Sequence, residues 1–583
     1  MTDSFKERLK RILSNDYYVA LFFLIAYLCT NSYGYGWDNQ HLEIPLLKHL
    51  IDPSLYKGDY YVESLARNFT SYLYPIMARF ITVEQVPAAY LVLFLIFRYL
   101  IFFSLYKLWQ LLGQDKFASA CAIMMFMVLG RTEELLWRTF SHELVSQGLM
   151  FAGIYFFYKD RFILAAFIFG LAANIDGIYS LLPMIYMLMF LLIFHVQRWK
   201  MFSKTSFIFI LGSLPFLCWQ IPRTLQEKVG LPVPSSEWLP LYSMSCPQNF
   251  LFAGISLKEV WADQASFWQS AEPYIFLVFL YIFLLVVSPA FRQDKKTNVL
   301  VWTAYLLIIF STFFTYIVPS RFVIDLNLLR SEQFVRLFLM SYTTFWAVKT
   351  VKEAKPWQAL IVAVIFLFIG FGSWSSFSTK FHKNIFVLMA MGTVFLILHL
   401  KRLPKLDHYL RKALIVIPLL GAVVSFCIFN YNYHQAMNYG LEPWQLLRNW
   451  VDMQRYVRDH TPKDALILTP IDTAFGGFRI NSERKVVVCA RDCGIIGFDY
   501  AATVEWQKRM QDMKDFVVLL ERPINKAVLV AVLKYKVDYI VFMKYSAPQT
   551  DDFILRKIYQ NEVFALFQVL IHPSDNHLSK LAI

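Results

Sequence analysis

Residues 89–107 read AYLVLFLIFRYLIFFSLYK, an apolar run that ends on a lysine. As a helix rising about 1.5 Å per residue, a run of about twenty residues crosses the roughly 30 Å hydrocarbon core of a bilayer. Similar runs follow one another from residue 17 to about residue 430. Their centres predict about thirteen membrane spans, near residues 25, 99, 124, 150, 168, 187, 212, 281, 308, 343, 365, 391 and 420.

Lysine and arginine mark every second connection between these runs. Short loops that are rich in these residues stay in the cytoplasm. The pattern therefore predicts a cytoplasmic N-terminus and, with an odd number of spans, an extracytoplasmic C-terminal region. Representative pairs along the chain are Lys107 and Lys116, Arg198 and Lys200, Lys295 and Lys296, and Lys401 and Arg402.

The overall composition supports a membrane protein. Of the 583 residues, 57% are hydrophobic and 17% are charged, and the mean hydropathy is +0.45. These values are typical of a polytopic membrane protein and exclude a soluble globular enzyme. A net charge of +14 could indicate a nucleic-acid partner. We expect none, because most of the positive excess lies in the predicted cytoplasmic loops.

The hydropathy pattern changes after about residue 430. Helical patterns at residues 444–460, 503–516 and 525–534 then alternate with strand patterns at 465–469, 485–489, 537–543 and 564–570. This alternation predicts a small α/β domain. We therefore divide the chain into a transmembrane domain, residues 1–435, and an extracytoplasmic α/β domain, residues 436–583. In the latter, Cys489 and Cys493 form either a local disulfide or two free thiols.

Two of the predicted outer connections are long. The first, residues 35–86, carries amphipathic stretches at 41–51 and 62–81, which predict two helices lying in the membrane interface. The fourth, about residues 222–271, is rich in proline and tryptophan and predicts an irregular loop.

This arrangement resembles the GT-C superfamily of membrane glycosyltransferases. Its members have many spans, a first outer loop with two interfacial helices and an acidic residue, and often an outer C-terminal domain. Residues 36–45, GWDNQHLEIP, and 52–59, DPSLYKGD, are similar to a bacterial multi-pass family associated with this fold. So are residues 449–451, NWV, and 460–465, HTPKDA. The first loop lacks an Asp-x-Asp motif, and the chain lacks the Trp-Trp-Asp-Tyr-Gly motif of oligosaccharyltransferases.

The resemblance implies an inverting glycosyltransferase of the cell envelope. Its donor would be a sugar linked to polyprenyl phosphate, used on the extracytoplasmic face of the bacterial inner membrane, and its acceptor a glycan, a lipid or a protein. That chemistry needs a carboxylate base at the acceptor and cations at the leaving phosphate. No cofactor is implied. No ligand spacing demands a metal, although a divalent cation held by carboxylates is left open.

Asp38 is the residue to which the resemblance assigns catalysis. It directly follows the first span, where the superfamily places its catalytic acid. The alternative is that Asp38 caps the helix predicted to begin near residue 41, because aspartate is a favoured N-cap.

The candidate substrate-binding residues lie in predicted outer connections or at the ends of spans. Arginines suit a lipid phosphate because their guanidinium groups donate two parallel hydrogen bonds. The alternative role of the arginines is pairing with Asp325 and Glu332. For the other candidates the alternative is helix capping or a place on a solvated helix face. The candidates are His41, Glu43, Glu133, Glu134, His142, Glu143, Asp176, Arg321, Arg330 and Arg336.

Two other classes of function compete with an enzyme. A transporter or flippase of a lipid-linked or anionic substrate should show internal repeats and charges at the midplane of broken helices. A non-catalytic membrane scaffold should have its polar residues scattered rather than gathered.

Overall fold

A computed structural model describes residues 15–31, 33–129, 134–194, 199–219, 222, 233–252, 254–352, 443–471, 476–516, 525–548 and 554–570. The chain divides into two compact units. Unit 1 comprises Met1–Tyr33, Val92–Arg138 and His142–Asn432, and unit 2 comprises Gly34–Leu91, Thr139–Ser141 and Tyr433–Ile583. Unit 2 thus combines the first outer connection with the C-terminal region. The division into domains at residue 435 stays a prediction.

Helices make up most of the described chain. In chain order they are α1 (Asp16–Asn31), α2 (Gln40–Ile51), α3 (Tyr60–Asn68), α4 (Leu73–Met77), α5 (Val86–Gly113), α6 (Lys116–Leu129), α7 (His142–Tyr158), α8 (Phe162–Ala173), α9 (Gly177–Phe194), α10 (Trp199–Gly212), α11 (Ser235–Ser245), α12 (Leu257–Ala262), α13 (Gln264–Val287), α14 (Pro289–Gln293), α15 (Lys295–Tyr316), α16 (Arg321–Asp325), α17 (Ser331–Lys352), α18 (Pro443–His460), α19 (Phe478–Ser482), α20 (Tyr500–Asp512) and α21 (Lys526–Val530). The strands are β1 (Leu466–Leu468), β2 (Lys485–Val486), β3 (Tyr539–Met543), β4 (Leu555–Gln560) and β5 (Phe564–Val569).

These elements confirm a mostly helical protein with a small C-terminal sheet. Every predicted span centre from residue 25 to residue 343 lies inside a helix, and the centres near residues 365, 391 and 420 lie outside the described residues. Within the described ranges, 3 helices are long and apolar enough to cross a membrane: Val83–Gly113, Gly177–Phe194 and Lys295–Tyr316. The count of thirteen spans therefore stays a prediction.

The fourth outer connection is more regular than predicted. It contains α11 and α12, and α13 begins inside it, at Gln264. Side-chain caps explain these helices: Ser256 accepts a hydrogen bond from the amide of Glu259 at 3.3 Å, and Asp263 accepts one from Ser266 at 3.1 Å. Such caps satisfy amides that a helix start leaves unpaired. The prediction of an irregular loop is wrong for this part of the connection.

Small residues bring two helices of unit 1 into close contact. A Cβ atom added to Gly170 of α8 would lie 2.7 Å from the carbonyl oxygen of Phe209 and 2.9 Å from the Cα atom of Gly212, both in α10. The side chain of Asn174 also donates a hydrogen bond to the carbonyl of Gly212 at 2.8 Å. Close approach through small residues and side-chain hydrogen bonds is the usual way in which helices associate within a membrane.

The C-terminal region of unit 2 is built on a mixed five-stranded sheet in the order β2-β1-β3-β5-β4. β1 pairs in parallel with β2 and β3, whereas β5 is antiparallel to β3 and β4. Trp450, Met453 and Val457 of α18 share one hydrophobic core with strand residues of the sheet. The sequence missed β4, an edge strand with exposed Arg556 and Lys557, because charged edge residues break the usual strand pattern.

The first outer connection folds within the same unit. The helix predicted at residues 41–51 is observed as α2, and its apolar Ile44 and Leu47 are fully buried. The helix predicted at residues 62–81 is instead divided into α3 and α4. Pro75 explains the division, since proline lacks an amide hydrogen and is tolerated only in the first turn of a helix, where α4 places it. That these helices lie in the membrane interface stays a prediction.

A buried ion network joins the two parts of unit 2. The guanidinium of Arg479 donates to Asp59 at 2.8 Å and to Asp492 at 2.9 Å, and all three side chains are buried. Lys48 of α2 pairs with Glu483 at 2.6 Å. Breaking one partner out of a buried ion pair typically costs about 3–5 kcal/mol, so this network strongly favours the observed arrangement over a partly paired one. Cys489 and Cys493, in the same region, are free thiols.

The contact at Gly170 yields a stability prediction. We expect Gly170→Val to lower the free energy of unfolding by about 1–3 kcal/mol, because an overpacked side chain must push α8 and α10 apart. Thermal unfolding of the purified protein in detergent measures this. Gly497→Ala is the matched control, since an added Cβ there would meet nothing within 4 Å. Equal melting temperatures for both variants would contradict the close contact.

Candidate functional site

Four of the predicted site residues come together in unit 1. His142 and Asp176 approach to 3.6 Å between Nε2 and Oδ2, and Arg330 Nη2 lies 3.4 Å from Glu143 Oε1. Glu143 and Asp176 are buried, and His142 and Arg330 are partly buried. Two carboxylates, an imidazole and a guanidinium are therefore gathered rather than scattered.

Local structure positions each of these side chains. His142 and Glu143 are the first two residues of α7. Asp176 precedes α9, and its Oδ1 accepts hydrogen bonds from the amides of Ile178 at 2.8 Å and Tyr179 at 3.2 Å. The capping alternative for Asp176 is thus observed, and it leaves Oδ2 directed at His142. The carboxylate of Asp176 therefore both caps α9 and approaches His142.

Arg330 is held in place by its neighbours. It ends the 3₁₀ turn Leu328–Arg330, which follows Asn327 in the left-handed conformation at φ 44°. Its guanidinium lies 5.2 Å from the centre of the ring of Tyr179, which is fully buried. A cation over an aromatic face is stabilised by about 0.5–2 kcal/mol. This contact restrains the position of the guanidinium beside Glu143.

The same cluster has the composition of a cation site. One ligand atom from each of His142, Glu143 and Asp176 lies within 4.8 Å of the others. A nitrogen and two carboxylate oxygens suit several divalent cations. Arg330 already brings a positive charge to Glu143, so the ion pair competes with a cation for that carboxylate. The prediction that the protein holds no metal stays untested.

The other two candidate arginines have partners of their own. Arg336 donates to Glu332, one helical turn earlier on α17, with 2.7 Å between Nε and Oε1. This is the pairing that the sequence offered as the alternative to phosphate binding. Arg321 lies 5.9 Å from the ring of Tyr242, whose hydroxyl donates to the carboxylate of Asp325 at 2.7 Å.

Asp38 lies in unit 2, in a turn before α2. The N-cap of α2 is Asn39, which makes no side-chain capping bond, so the capping alternative for Asp38 is wrong. The carboxylate of Asp38 makes no hydrogen bond or ion pair with the residues that the structure describes. Its backbone is left-handed, at φ 50°. This conformation costs a non-glycine residue on the order of 1 kcal/mol, and Asp is among the residues that tolerate it best.

His41 and Glu43 are packed inside unit 2. Nε2 of His41 lies 3.0 Å from the carbonyl oxygen of Gly36. The ring faces Gly476 and Gly477 so closely that a Cβ atom on Gly476 would lie 2.5 Å from Nδ1. Burial, reinforced by the charge of Arg491, lowers the pKa of His41 to about 4. Glu43 is fully buried.

The side chains of the remaining two candidates lie outside the described residues. Glu133 lies outside the described residues. Glu134 begins the 3₁₀ turn Glu134–Leu136, and its side chain lies outside the description as well. Their predicted role in substrate binding is therefore untested.

Sequence reasoning missed Arg98, a fully buried residue of α5. Its guanidinium donates to the carbonyls of Leu135 at 2.7 Å and Trp137 at 2.6 Å, and it lies 4.8 Å from the ring of Tyr27. The hydroxyl of Tyr27 donates to the carbonyl between them, that of Leu136, at 2.8 Å. The sequence does contain a signal for Arg98, because a lone arginine inside an apolar run is a candidate functional residue. Arg98 and Tyr27 together fix the turn that precedes α7 in the chain.

Comparison with known proteins gives the following results. A family model described as "Domain of unknown function (DUF6798)" matches residues 448–513. No curated protein sequence matches the chain. Among solved structures, the chain is similar to ArnT from Cupriavidus metallidurans bound to undecaprenyl phosphate, with 12% identity and a TM-score of 0.44 over 94% of this chain and 97% of that chain.

The chain is likewise similar to ArnT from Cupriavidus metallidurans in the apo state, with 12% identity and a TM-score of 0.45 over 97% of this chain and 98% of that chain. Similarities at such low identity and TM-scores establish neither a shared fold nor an activity. The function proposed below therefore rests on the residues of this chain.

The lowered pKa of His41 predicts a pH dependence of stability. In the unfolded chain histidine titrates near pH 6.5, so between about pH 6.5 and pH 4 the unfolded chain binds a proton that the folded chain does not. Stability should therefore fall as the pH drops through this window, by up to about 3 kcal/mol from this residue.

Thermal unfolding of the protein and of His41→Gln at several pH values from 7 to 4 measures the effect. The variant should lose less stability on acidification than the unchanged protein. His460→Gln, at an exposed position on α18, serves as the control. If His41→Gln and the unchanged protein show the same pH profile, His41 is not the group responsible.

Proposed function

We propose that this chain is an integral-membrane glycosyltransferase that uses a sugar linked to polyprenyl phosphate. The observation that carries the proposal is the cluster in unit 1, where Arg330 and Glu143 lie beside His142 and Asp176. Transfer from a lipid phosphate needs a cation for the leaving phosphate and polar side chains that hold the sugar or the acceptor. Both kinds of group are present, and they lie in a largely buried setting where their electrostatic effect is strong.

The reaction has a simple balance of bonds. The acceptor hydroxyl oxygen forms a bond to the anomeric carbon of the sugar, with inversion, as the bond from that carbon to the phosphate oxygen breaks. The hydroxyl proton passes to a carboxylate base, and the electron pair of the broken bond leaves with the polyprenyl phosphate. The protein's task is to accept the proton and to stabilise the negative charge of the phosphate.

Arg330 is the proposed phosphate ligand. Its contact with Glu143 is long, at 3.4 Å, and a phosphate oxygen would offer the guanidinium a shorter charge-assisted hydrogen bond. The ring of Tyr179, 5.2 Å from the guanidinium, would stay beside it during that exchange. Arg321 and Arg336 remain further candidates, Arg336 only if it releases Glu332.

Asp38 is proposed separately, from unit 2, as the general base. Its carboxylate has no hydrogen-bond or salt-bridge partner among the described residues, and its position after α1 is where the GT-C resemblance places a catalytic acid. A base must be free to receive a proton, which a carboxylate locked in an ion pair is not.

The finer features of the proposal come from the sequence. They are about thirteen spans, a cytoplasmic N-terminus, an extracytoplasmic C-terminal domain, the bacterial inner membrane as location, and a glycan, lipid or protein acceptor. A transporter or flippase of the same lipid is the competing function. The two differ in product, because only a transferase releases free polyprenyl phosphate.

The decisive experiment uses the full chain in lipid nanodiscs. Lipids that co-purify with it are identified by mass spectrometry, and polyprenyl-phosphate-linked hexoses and pentoses are then offered with an envelope extract as acceptor. Release of polyprenyl phosphate together with a new sugar-bearing product supports the proposal. Translocation of an intact lipid-linked sugar without its release would overturn it in favour of a transporter.

The first prediction of this proposal concerns Asp38. We expect Asp38→Asn to lower the transfer rate by about 10²–10⁴, the usual cost of losing a general base. The fold should survive, because asparagine also tolerates the left-handed backbone at this position. Asp52→Asn, at an exposed turn of the same connection, should keep near-full activity. A folded and fully active Asp38→Asn protein would remove Asp38 from catalysis.

The second prediction concerns Arg330. We expect Arg330→Ala to weaken the binding of polyprenyl phosphate by roughly 10–150-fold, since a hydrogen bond to a charged group contributes about 1.5–3 kcal/mol. Arg330→Lys should restore only part of the affinity, because an ammonium cannot donate two parallel bonds. Titration followed by native mass spectrometry gives the dissociation constant. Arg458→Ala, which changes an exposed arginine of α18, is the control. Unchanged affinity in Arg330→Ala would assign Arg330 a structural role.

A further inference from the structure

The fourth outer connection exposes an aromatic group that the proposed chemistry does not use. Trp261 is 62% exposed and Trp268 is 61% exposed. Both rings pack on Phe267, with centroid distances of 5.2 Å and 5.3 Å. The ring of Phe252 stacks on Phe267 at 4.9 Å. We call these four residues the aromatic group. Large exposed aromatic side chains gathered in one place usually mark a surface that meets a partner.

The aromatic group continues a stripe of exposed apolar residues on α13. Starting from Trp268, the stripe follows steps of seven, four, three and four residues, which is the spacing of a single helix face. Its further members are Ile275, Phe279, Ile282 and Val286. A continuous exposed apolar face of this kind marks a surface that meets a membrane or another protein. Trp268 therefore lies at the end of an extended apolar face, not on an isolated patch.

A second helix ends at the same aromatic group. Tyr316 is the last residue of α15, which is one of three helices in the described part of the chain that are long and apolar enough to span a membrane. Its hydroxyl accepts a hydrogen bond from the amide of Phe252 at 2.8 Å and donates one to the carbonyl of Phe252 at 2.7 Å. These two bonds tie the aromatic group to the C-terminal end of α15.

We propose that the aromatic group is an interfacial anchor, in which Trp261 and Trp268 insert into the headgroup region of the bilayer where α15 ends. Tryptophan prefers this region because its ring is largely apolar while its indole N–H can bond to headgroups or water. The partner is thus the lipid surface itself. By the predicted topology, this surface belongs to the outer leaflet.

The experiment measures how deeply each tryptophan lies in a bilayer. The full chain is reconstituted in vesicles of plain phosphatidylcholine, of lipid brominated close to the headgroup, and of lipid brominated near the end of the acyl chain. The fluorescence of Trp261 is that of the unchanged protein minus that of the Trp261→Phe variant. The fluorescence of Trp268 is obtained in the same way from Trp268→Phe. Phenylalanine keeps the apolar contact, so both variants should fold.

Two other tryptophans calibrate the measurement. Trp302 is 58% exposed within α15, so bromines deep in the bilayer should quench it best. Trp238, on α11 of the same connection, is only 5% exposed and should be quenched little by either lipid. Trp302→Phe and Trp238→Phe give their contributions in the same way.

We expect bromines near the headgroup to quench Trp261 and Trp268 at least about twofold more strongly than bromines near the chain end, in keeping with an interfacial position. Equal or weaker quenching from the headgroup position, or strong quenching by aqueous acrylamide alone, would overturn the proposal. Tyr316→Phe supplies an independent check. It removes both bonds to Phe252, so the preference of Trp261 for the headgroup bromines should decrease if the end of α15 sets the depth of the anchor.

Discussion

A polar group inside a bilayer must find its partner within the protein, because hydrocarbon offers none. This constraint is visible in the described part of unit 1, where several buried polar side chains bond to backbone carbonyls. Arg98 and Tyr27 bind three successive carbonyls of one turn, and Asn174 binds the carbonyl of Gly212. The close approach of Gly170 to Gly212 follows from the same constraint, since packing replaces the hydrophobic effect between helices in lipid.

The constraint also explains where the candidate site lies. Ionisable groups are least costly at the ends of apolar helices, and the cluster uses such ends: His142 and Glu143 begin α7, and Asp176 caps α9. Capping and ion pairing hold these side chains before any substrate arrives. Preorganised charges in a largely buried setting are what a reaction that develops charge on a phosphate requires. Stability and proposed chemistry therefore depend on the same contacts.

In unit 2 the buried guanidinium of Arg479 holds two distant segments of the chain together. It lies between Asp59, from the first outer connection, and Asp492, from the C-terminal region. A buried network of this kind adds little net stability, but it strongly disfavours any arrangement in which one member is left unpaired. Two segments far apart in the sequence are thereby held in one register. Asp59 has two roles, because it caps α3 with one oxygen and binds Arg479 with the other.

The sequence by itself determined the local elements: the described helices at the predicted span centres, most strands of the C-terminal sheet, and the capping alternative for Asp176. Those features depend on periodicity and on neighbouring residues, which a single sequence displays. It did not determine the break at Pro75, the edge strand β4, the partners of Arg98, or the grouping of the first outer connection with the C-terminal region. It also offered Asp38 as the N-cap of α2, whereas the structure places Asn39 at that position. Only the tertiary structure decided these points, because the partner of a buried charge or the neighbour of an edge strand is chosen by packing between segments that are distant in the chain.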